Sequence, residues 1–229
     1  MKSLCQISKT SLIAILFSIF LGTTFTFGQV SLGTDVNSRY VWRGIDFGQS
    51  LSYQPSLSYS SGGFEIGTWG SYAISNSAAN ELDLWVSYSI EINESSSLSL
   101  GLTDYFFPAG AGGYFDFNTD GSHVIEPFIS YSSSFSITAY LNALNDPDNS
   151  IYINASIPFT VDDISLEVFL GFVPSASAWY GTSGAAIQDI GITASKEIPF
   201  TDTFSLPIST SFIVNPYTES SFLLFGFSL

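Results

Sequence analysis

Alternation of apolar and small polar residues runs through almost the whole chain, and it is the feature that most constrains the fold. In the final stretch Leu223, Phe225 and Phe227 share one parity, whereas Gly226 and Ser228 occupy the other. A period of two predicts a strand with two unlike faces. Twelve such strands are predicted, at 30–43, 53–60, 63–73, 80–90, 97–105, 123–132, 135–143, 151–158, 164–173, 187–197, 204–214 and 220–229.

The first residues look like a secretory signal. Lys2 and Lys9 give a positive start, and the residues that follow are apolar or hydroxylic and uncharged up to a small residue at position 28. A transmembrane anchor is the alternative, but the apolar run at 12–22 is short for a span and no basic flank follows it. We therefore expect an export signal at 1–28 and one domain at 29–229.

The expected mature chain is strongly acidic. Arg39, Arg43 and Lys196 are its three fixed cations against 20 Asp and Glu residues, a formal charge of −17. Nucleic-acid binding requires a basic surface, so we expect no nucleic-acid partner. The single cysteine, Cys5, lies in the expected signal, which excludes a disulfide framework or a thiolate metal site from 29–229.

The composition does not fit a typical soluble domain. Only 11% of the residues are charged and 16% are aromatic, whereas soluble domains carry about 25% charged residues. A hydrophobic chain without spanning helices can cross a bilayer only as a closed barrel. The expected fold is all-β, a transmembrane antiparallel up-and-down β-barrel of twelve strands in the outer membrane of a Gram-negative bacterium. A soluble sandwich or lipocalin-like barrel, with its apolar face inward, would leave poorly protected edges.

The connections between the predicted strands alternate in length. Longer ones are predicted at 44–52, 74–79, 106–122, 144–150, 174–186 and 215–219. The others are short turns at 60–63 and 132–134 and moderate turns at 91–96, 159–163 and 198–203. Outer-membrane barrels have short periplasmic turns and longer external loops, so we expect both termini in the periplasm.

The candidate site residues are charged side chains on the polar parity, in the half of the barrel that carries the longer connections. They are Arg39, Arg43, Glu81, Asp83, Glu126 and Asp189. The two arginines fall in the first predicted strand, and the carboxylates in the fourth, sixth and tenth. Inward charges that ring a passage select ions. Because carboxylates predominate, we expect a constriction that prefers cations or neutral solutes, unless these groups pair and plug the barrel.

Metal and catalytic sites have little support. Asp116–Gly121 reads D-x-N-x-D-G, the opening half of a calcium loop, but the acidic residue expected six positions after the glycine comes five after it, at Glu126. A plain Asp/Asn/Gly turn is the favoured interpretation. His123 is the only histidine, and a serine hydrolase would require it to have an orienting partner and a placed nucleophile. We expect no enzyme activity, no catalytic residue, no metal and no cofactor.

Four ordered segments suggest a family. They are Ser38–Ile45 (SRYVWRGI), Gln54–Pro55, Gly63–Ser71 (GFEIGTWGS) and Glu81–Leu84 (ELDL). Together they resemble the opening strands of the TorF-type porin family, bacterial proteins catalogued without a known function. The resemblance covers about 38–90. It implies an outer-membrane barrel that acts as a pore. It identifies no substrate and no catalytic residues.

The sequence thus predicts a porin-like channel for passive diffusion of small solutes or cations, surrounded by outer-membrane lipid. A closed barrel with a structural or loop-mediated binding role is the alternative, to which exposed aromatic residues at 105–107 and 179–180 could contribute. A lipid hydrolase is a distant third. The oligomeric state and the solute stay open.

Overall fold

A computed structural model describes residues 28–110, 112–118 and 121–229. The expected signal at 1–28 lies outside these residues except for Gly28. The strands are β1 Gln29–Asn37, β2 Tyr40–Trp42, β3 Ile45–Phe47, β4 Ser52–Ser61, β5 Phe64–Ala73, β6 Glu81–Asn93, β7 Ser96–Phe106, β8 His123–Ser132, β9 Ser136–Leu141, β10 Ile151–Val161, β11 Ile164–Val173, β12 Ala186–Thr201, β13 Phe204–Asn215 and β14 Ser220–Ser228. A 3-10 turn spans Ser77–Ala79.

Twelve of these strands close into one antiparallel barrel. Strands β4 to β14 pair consecutively, and β1 joins β4 on one side and β14 on the other. Asp35, for example, pairs with Gln54 of β4 and with Ser228 of β14. The prediction of a closed twelve-stranded antiparallel barrel is confirmed. In the part of the chain that the structure describes, no helix has the length and apolar character needed to span a bilayer.

The prediction of one continuous first strand at 30–43 is wrong. Strand β1 ends at Asn37, and β2 and β3 form a separate two-stranded sheet. The connection between them is two residues long, and both Arg43 (φ 48°) and Gly44 (φ 71°) have positive φ. This is the backbone pattern of a tight hairpin turn, which reverses the chain although the side-chain alternation continues through it.

The two faces of the barrel differ as the parity predicts. Large apolar side chains on the outward parity are open to the surroundings, such as Leu100 and Ile157, whose exposed fractions are 51% and 58%. Polar side chains on the opposite parity are enclosed, such as Ser52 and Glu126, each 0% exposed. The soluble alternative with apolar residues inside is therefore wrong.

The connections divide the barrel into two unlike ends. One end carries only tight turns, at 62–63, 94–95, 133–135, 162–163 and 202–203, and we call it the short-turn end. The other carries the longer connections, and we call it the long-loop end. The moderate turns predicted at 91–96, 159–163 and 198–203 are shorter than expected because β6, β10 and β12 continue to Asn93, Val161 and Thr201.

Candidate functional site: the barrel lumen

The hairpin formed by β2 and β3 turns into the lumen near the long-loop end. Its tip, Arg43–Gly44, contacts the inner wall at the end of β13, where the Asn215 side-chain amide donates to the Gly44 carbonyl oxygen at 3.2 Å. A Cβ at Gly44 would lie 2.7 Å from the Gln188 carbonyl oxygen. With its positive φ as well, this position accepts only glycine without strain.

Arg43 forms the central ion pair of the lumen. Its two terminal nitrogens donate to the two oxygens of Glu126 at 2.6 and 2.9 Å. The side chains are only 7% and 1% exposed. The Tyr105 hydroxyl on the neighbouring strand β7 also donates to Glu126, at 2.8 Å. The Glu126 carboxylate on β8 therefore has partners on both the barrel wall and the hairpin. A charged pair this deeply enclosed needs such additional hydrogen bonds to offset its loss of water.

Aromatic rings surround the guanidinium group of Arg43. Its central carbon lies 4.2 Å from the ring centroids of Trp42 and Tyr140 and 4.4 Å from that of Tyr152. Arg43 also donates to the Tyr180 hydroxyl at 2.5 Å. Burial raises the pKa of Tyr180, which lies in the loop after β11, so this hydroxyl stays neutral. The hairpin tip is thus fixed by hydrogen bonds and by cation–π contacts together.

The remaining predicted carboxylates face the same region of the lumen without a cation partner among the described residues. Glu81 accepts a hydrogen bond from the Tyr40 hydroxyl at 3.2 Å. Asp189 accepts one from the Tyr152 hydroxyl at 2.7 Å. Asp83 is 8% exposed, and its Oδ1 atom has no hydrogen-bond partner within the described residues.

Arg39 does not join this cluster. It pairs with Asp46 across the base of the hairpin, and its side chain is 46% exposed. Arg39 and Arg43 were both expected on the first barrel strand, but Arg39 lies just before β2 and Arg43 at the turn after it. The structure therefore brings Arg43 together with the lumen carboxylates and places Arg39 beside the inner wall formed by β13 and β14.

Aromatic side chains cover one side of the lumen just beneath the hairpin, with one inward ring on each of six consecutive strands from β5 to β10. These rings are Trp69, Trp85, Tyr105, Phe128, Tyr140 and Tyr152. With Asp83 and the hairpin they line a cavity of about 490 Å³. The sequence analysis missed this aromatic wall. A signal was present, because Trp85 and Tyr105 interrupt the polar parity of their strands.

Glycines on neighbouring strands allow these rings to lie flat against the wall. Gly67 pairs with Trp85, and Gly101 pairs with Phe128. A Cβ at either glycine would lie 2.3 Å from the facing ring. The missing side chain gives each ring a place beside the backbone, so it takes up less of the lumen.

Small hydroxyl side chains line the rest of the lumen. They bond across neighbouring strands, as between Ser89 and Ser99 at 2.8 Å and between Thr193 and Ser211 at 2.8 Å. Such pairs satisfy one another while leaving lone pairs for water. Toward the short-turn end the lumen is therefore polar and bordered by small side chains.

His123 lies on the outer parity, under the loop that follows β7. Its Nδ1 is 2.8 Å from an Asp104 oxygen, and its Nε2 donates to the Tyr114 carbonyl oxygen at 2.6 Å. The Phe117 ring stacks on the imidazole at 4.1 Å. Among the described residues both ring nitrogens are thus occupied, and neither contacts a serine hydroxyl, as a hydrolase would require.

The loop considered for calcium is only partly described, since residues 119 and 120 lie outside the described residues. Asp116 Oδ1 accepts hydrogen bonds from the backbone and the side-chain amide of Asn118 at 3.2 and 2.6 Å. The Gly121 amide donates to the Asn118 carbonyl oxygen at 2.8 Å. This is an Asx-type turn, and the described residues contain no cluster of acidic, His or Cys side chains that could hold a metal.

Comparison with known families gives a match over most of the chain. The model of a family described as a bacterial protein of unknown function (Gcw_chp) matches residues 23–205. The chain belongs to this family. The resemblance to the TorF-type family stays a prediction, because the matching family carries a different name. No curated protein sequence matches the chain.

Solved structures with a similar fold include porins. The KdgM porin has a TM-score of 0.54 and 10% identity, with 87% of this chain and 98% of that chain covered. The NanC porin has a TM-score of 0.53 and 12% identity, with 86% and 98% covered. A KdgM porin in complex with disordered oligogalacturonate has a TM-score of 0.51 and 10% identity, with 88% and 97% covered. At these identities the likeness shows the shared fold.

Proposed function

We propose that this protein is an outer-membrane channel through which small solutes diffuse passively, with a narrow acidic lumen that prefers cations or neutral solutes. The observation that carries the proposal is the closed barrel with apolar side chains outside and an enclosed polar lumen inside. Only a hydrocarbon surround makes such an exterior favourable, and polar residues inside suit water. The fold it shares with porins supports the same conclusion.

The arrangement of the connections supports an orientation. The short-turn end faces the periplasm and the long-loop end faces outward, as in other outer-membrane barrels. Both termini of the described barrel then lie on the periplasmic side, since β1 starts and β14 ends there. Residues 1–28 serve as the export signal in this proposal. Tyr59, Tyr88 and Tyr131 lie on the outer face near the short turns, where interfacial aromatic residues are favoured.

The charge balance supports the preference for cations. The carboxylate of Glu126 neutralises Arg43, and that of Asp46 neutralises Arg39. Glu81, Asp83 and Asp189 have no cation partner among the described residues, and this excess of acidic groups over cations favours the passage of cations. The oligogalacturonate in the KdgM complex is an anion. We therefore do not propose it as a solute of this channel.

The hairpin provides the constriction in this proposal. It crosses the lumen at the level of Glu126 and reduces the passage to the space beside it. The same feature favours the second candidate, a closed barrel with a structural or binding role, because a firmly held hairpin can also block the passage. We assign no catalytic step to either candidate.

Single-channel recording separates the two candidates. We expect purified protein in planar lipid bilayers to show discrete current steps, and an Arg43→Ala variant, with its hairpin tip released, to conduct more than the unaltered protein. An Arg39→Ala variant is the matched control, because this arginine makes no contact with Glu126 and is half exposed. Absence of current from protein that migrates on gels as a folded barrel would contradict the channel and favour the closed barrel.

A further inference from the structure

Asp83 presents a buried acceptor to the cavity below the hairpin. The residue is 8% exposed, and its Oδ1 atom has no hydrogen-bond partner among the described residues. It lines the cavity of about 490 Å³ together with the aromatic wall. A buried carboxylate oxygen without a partner costs free energy, and a group that donates a hydrogen bond to it recovers that cost.

The rings next to Asp83 favour a cationic donor. Trp69, Trp85 and Tyr105 line the same cavity, and the negative face of an aromatic ring attracts a cation. Arg43 shows that this wall accommodates one, because its guanidinium group lies against Tyr140 and Tyr152 at 4.2 and 4.4 Å. Its charge is already matched by Glu126, so it does not neutralise Asp83.

The local charge favours a cation over other solutes. Glu81 lies two positions from Asp83 on the same face of β6, and the two carboxyl groups are hydrogen-bonded to each other, so the pair holds one proton and carries one negative charge. An anion would be repelled by this acidic pair. A neutral alcohol could donate to Asp83 but would gain no ionic attraction, and hydrogen bonds to charged groups are stronger when both partners carry charge.

We propose that this cavity binds small organic cations that carry a primary ammonium group. The ammonium group donates to Asp83, and its alkyl stem packs against the tryptophan rings. A primary ammonium fits better than a quaternary one because the unpartnered oxygen requires an N–H donor. The inference rests on the proposed channel function, since solutes reach this cavity through the lumen.

Tryptophan fluorescence of the detergent-solubilised protein tests the proposal, because Trp42, Trp69 and Trp85 line the cavity. We expect n-butylammonium to change the tryptophan emission until the site is saturated. The affinities for n-butanol, butyrate and tetramethylammonium should be at least about tenfold lower, because each loses the equivalent of one hydrogen bond between charged groups. The Asp83→Asn variant loses at least about tenfold in affinity for n-butylammonium. The matched control is Glu167→Gln, a carboxylate on the inner parity of β11, farther toward the short-turn end.

Equal affinity for n-butanol and n-butylammonium, or an unchanged affinity in Asp83→Asn, would overturn the proposal. Folding of each variant is checked by the change in gel mobility on heating. If Asp83→Asn does not fold, the comparison of n-butylammonium with tetramethylammonium on the unaltered protein decides. Binding without conductance would refute the channel and keep the site, whereas conductance without binding would refute the site alone.

Discussion

At the scale of single residues, Arg43 is the side chain on which the arrangement of the lumen depends most. Removing it leaves Glu126 buried without its cation, and breaking a buried pair in this way costs about 3–5 kcal/mol. We expect Arg43→Ala to lower the free energy of unfolding by this amount. Urea unfolding of the barrel in detergent, followed by gel mobility, measures it.

The double variant Arg43→Ala with Glu126→Ala is the control for this prediction. Because it leaves no unpaired charge, it should lose clearly less stability than the two single variants added together. Arg39→Ala should cost less than Arg43→Ala, since the Arg39 side chain is 46% exposed and that of Arg43 only 7%. Strict additivity of the Arg43 and Glu126 effects would show that the two residues do not act as a pair.

The inward direction of the carboxylates was predictable from the sequence, whereas their partners were not. Parity alone places Glu81, Asp83 and Glu126 inside. The contact between Arg43 and Glu126 joins residues 83 positions apart, and it depends on a chain reversal that parity does not encode. The aromatic wall was missed because rings on an inner face follow no period of their own.

At the scale of elements, the hairpin of β2 and β3 shows where periodicity fails. Tyr40, Trp42 and the residues that follow continue the alternation of β1, so a single strand to 43 was the natural prediction. The turn depends instead on positive φ at Arg43 and Gly44. Glycine favours such a turn, but an arginine in this conformation is uncommon and gives little warning in the sequence.

The loop from 142 to 150 depends on one carboxylate, Asp146. It accepts hydrogen bonds from the Asn142 side chain at 2.9 Å and from the backbone of Ser150 and Asp148, each at 3.0 Å. Burial alone would raise the pKa of Asp146, but these hydrogen bonds outweigh it and lower the pKa below its ordinary value. Asp148 in turn accepts from the Ala178 amide, which ties this loop to its neighbour.

Acid should therefore loosen this pair of loops. Because the folded pKa is lowered, the stabilisation by Asp146 is complete above the ordinary pKa of about 3.9 and is lost as the pH falls through the folded value. Hydrogen exchange of the Ser150 amide, corrected for its intrinsic pH dependence, should accelerate over that range. At neutral pH, Asp146→Asn should have the same effect, whereas Asp163→Asn, in an exposed short turn, should not. Unchanged exchange in Asp146→Asn would contradict this role.

At the scale of the whole molecule, the two faces of the barrel should respond oppositely to charge. Leu100 is 51% exposed on the outer face near the middle of β7, and Ser99 faces the lumen beside Ser89. If hydrocarbon surrounds the barrel, Leu100→Arg should lower the free energy of unfolding by about 2–4 kcal/mol. Ser99→Arg should cost less. Folding into lipid vesicles at increasing urea measures both, and a larger cost for Ser99→Arg would contradict the orientation.

The global architecture was the most predictable part of this protein. Alternation over the whole chain, as in the stretch that ends with Leu229, determines which face of the sheet each side chain occupies, because a slip of one residue would turn every side chain to the wrong side. Closure follows, since an open sheet edge in lipid has no partner for its backbone groups. The hairpin and the side chains that occupy the lumen depend on contacts between residues far apart in the sequence. The alternation pattern therefore does not predict them.

The reversal potential of the channel under a salt gradient tests the central claim most directly. An acidic lumen predicts cation selectivity, and a reduced selectivity when Glu81, Asp83 and Asp189 are replaced by Gln, Asn and Asn. The Glu167→Gln variant, nearer the short-turn end of the lumen, should change the reversal potential less. Anion selectivity, or an unchanged reversal potential in the triple variant, would contradict the account.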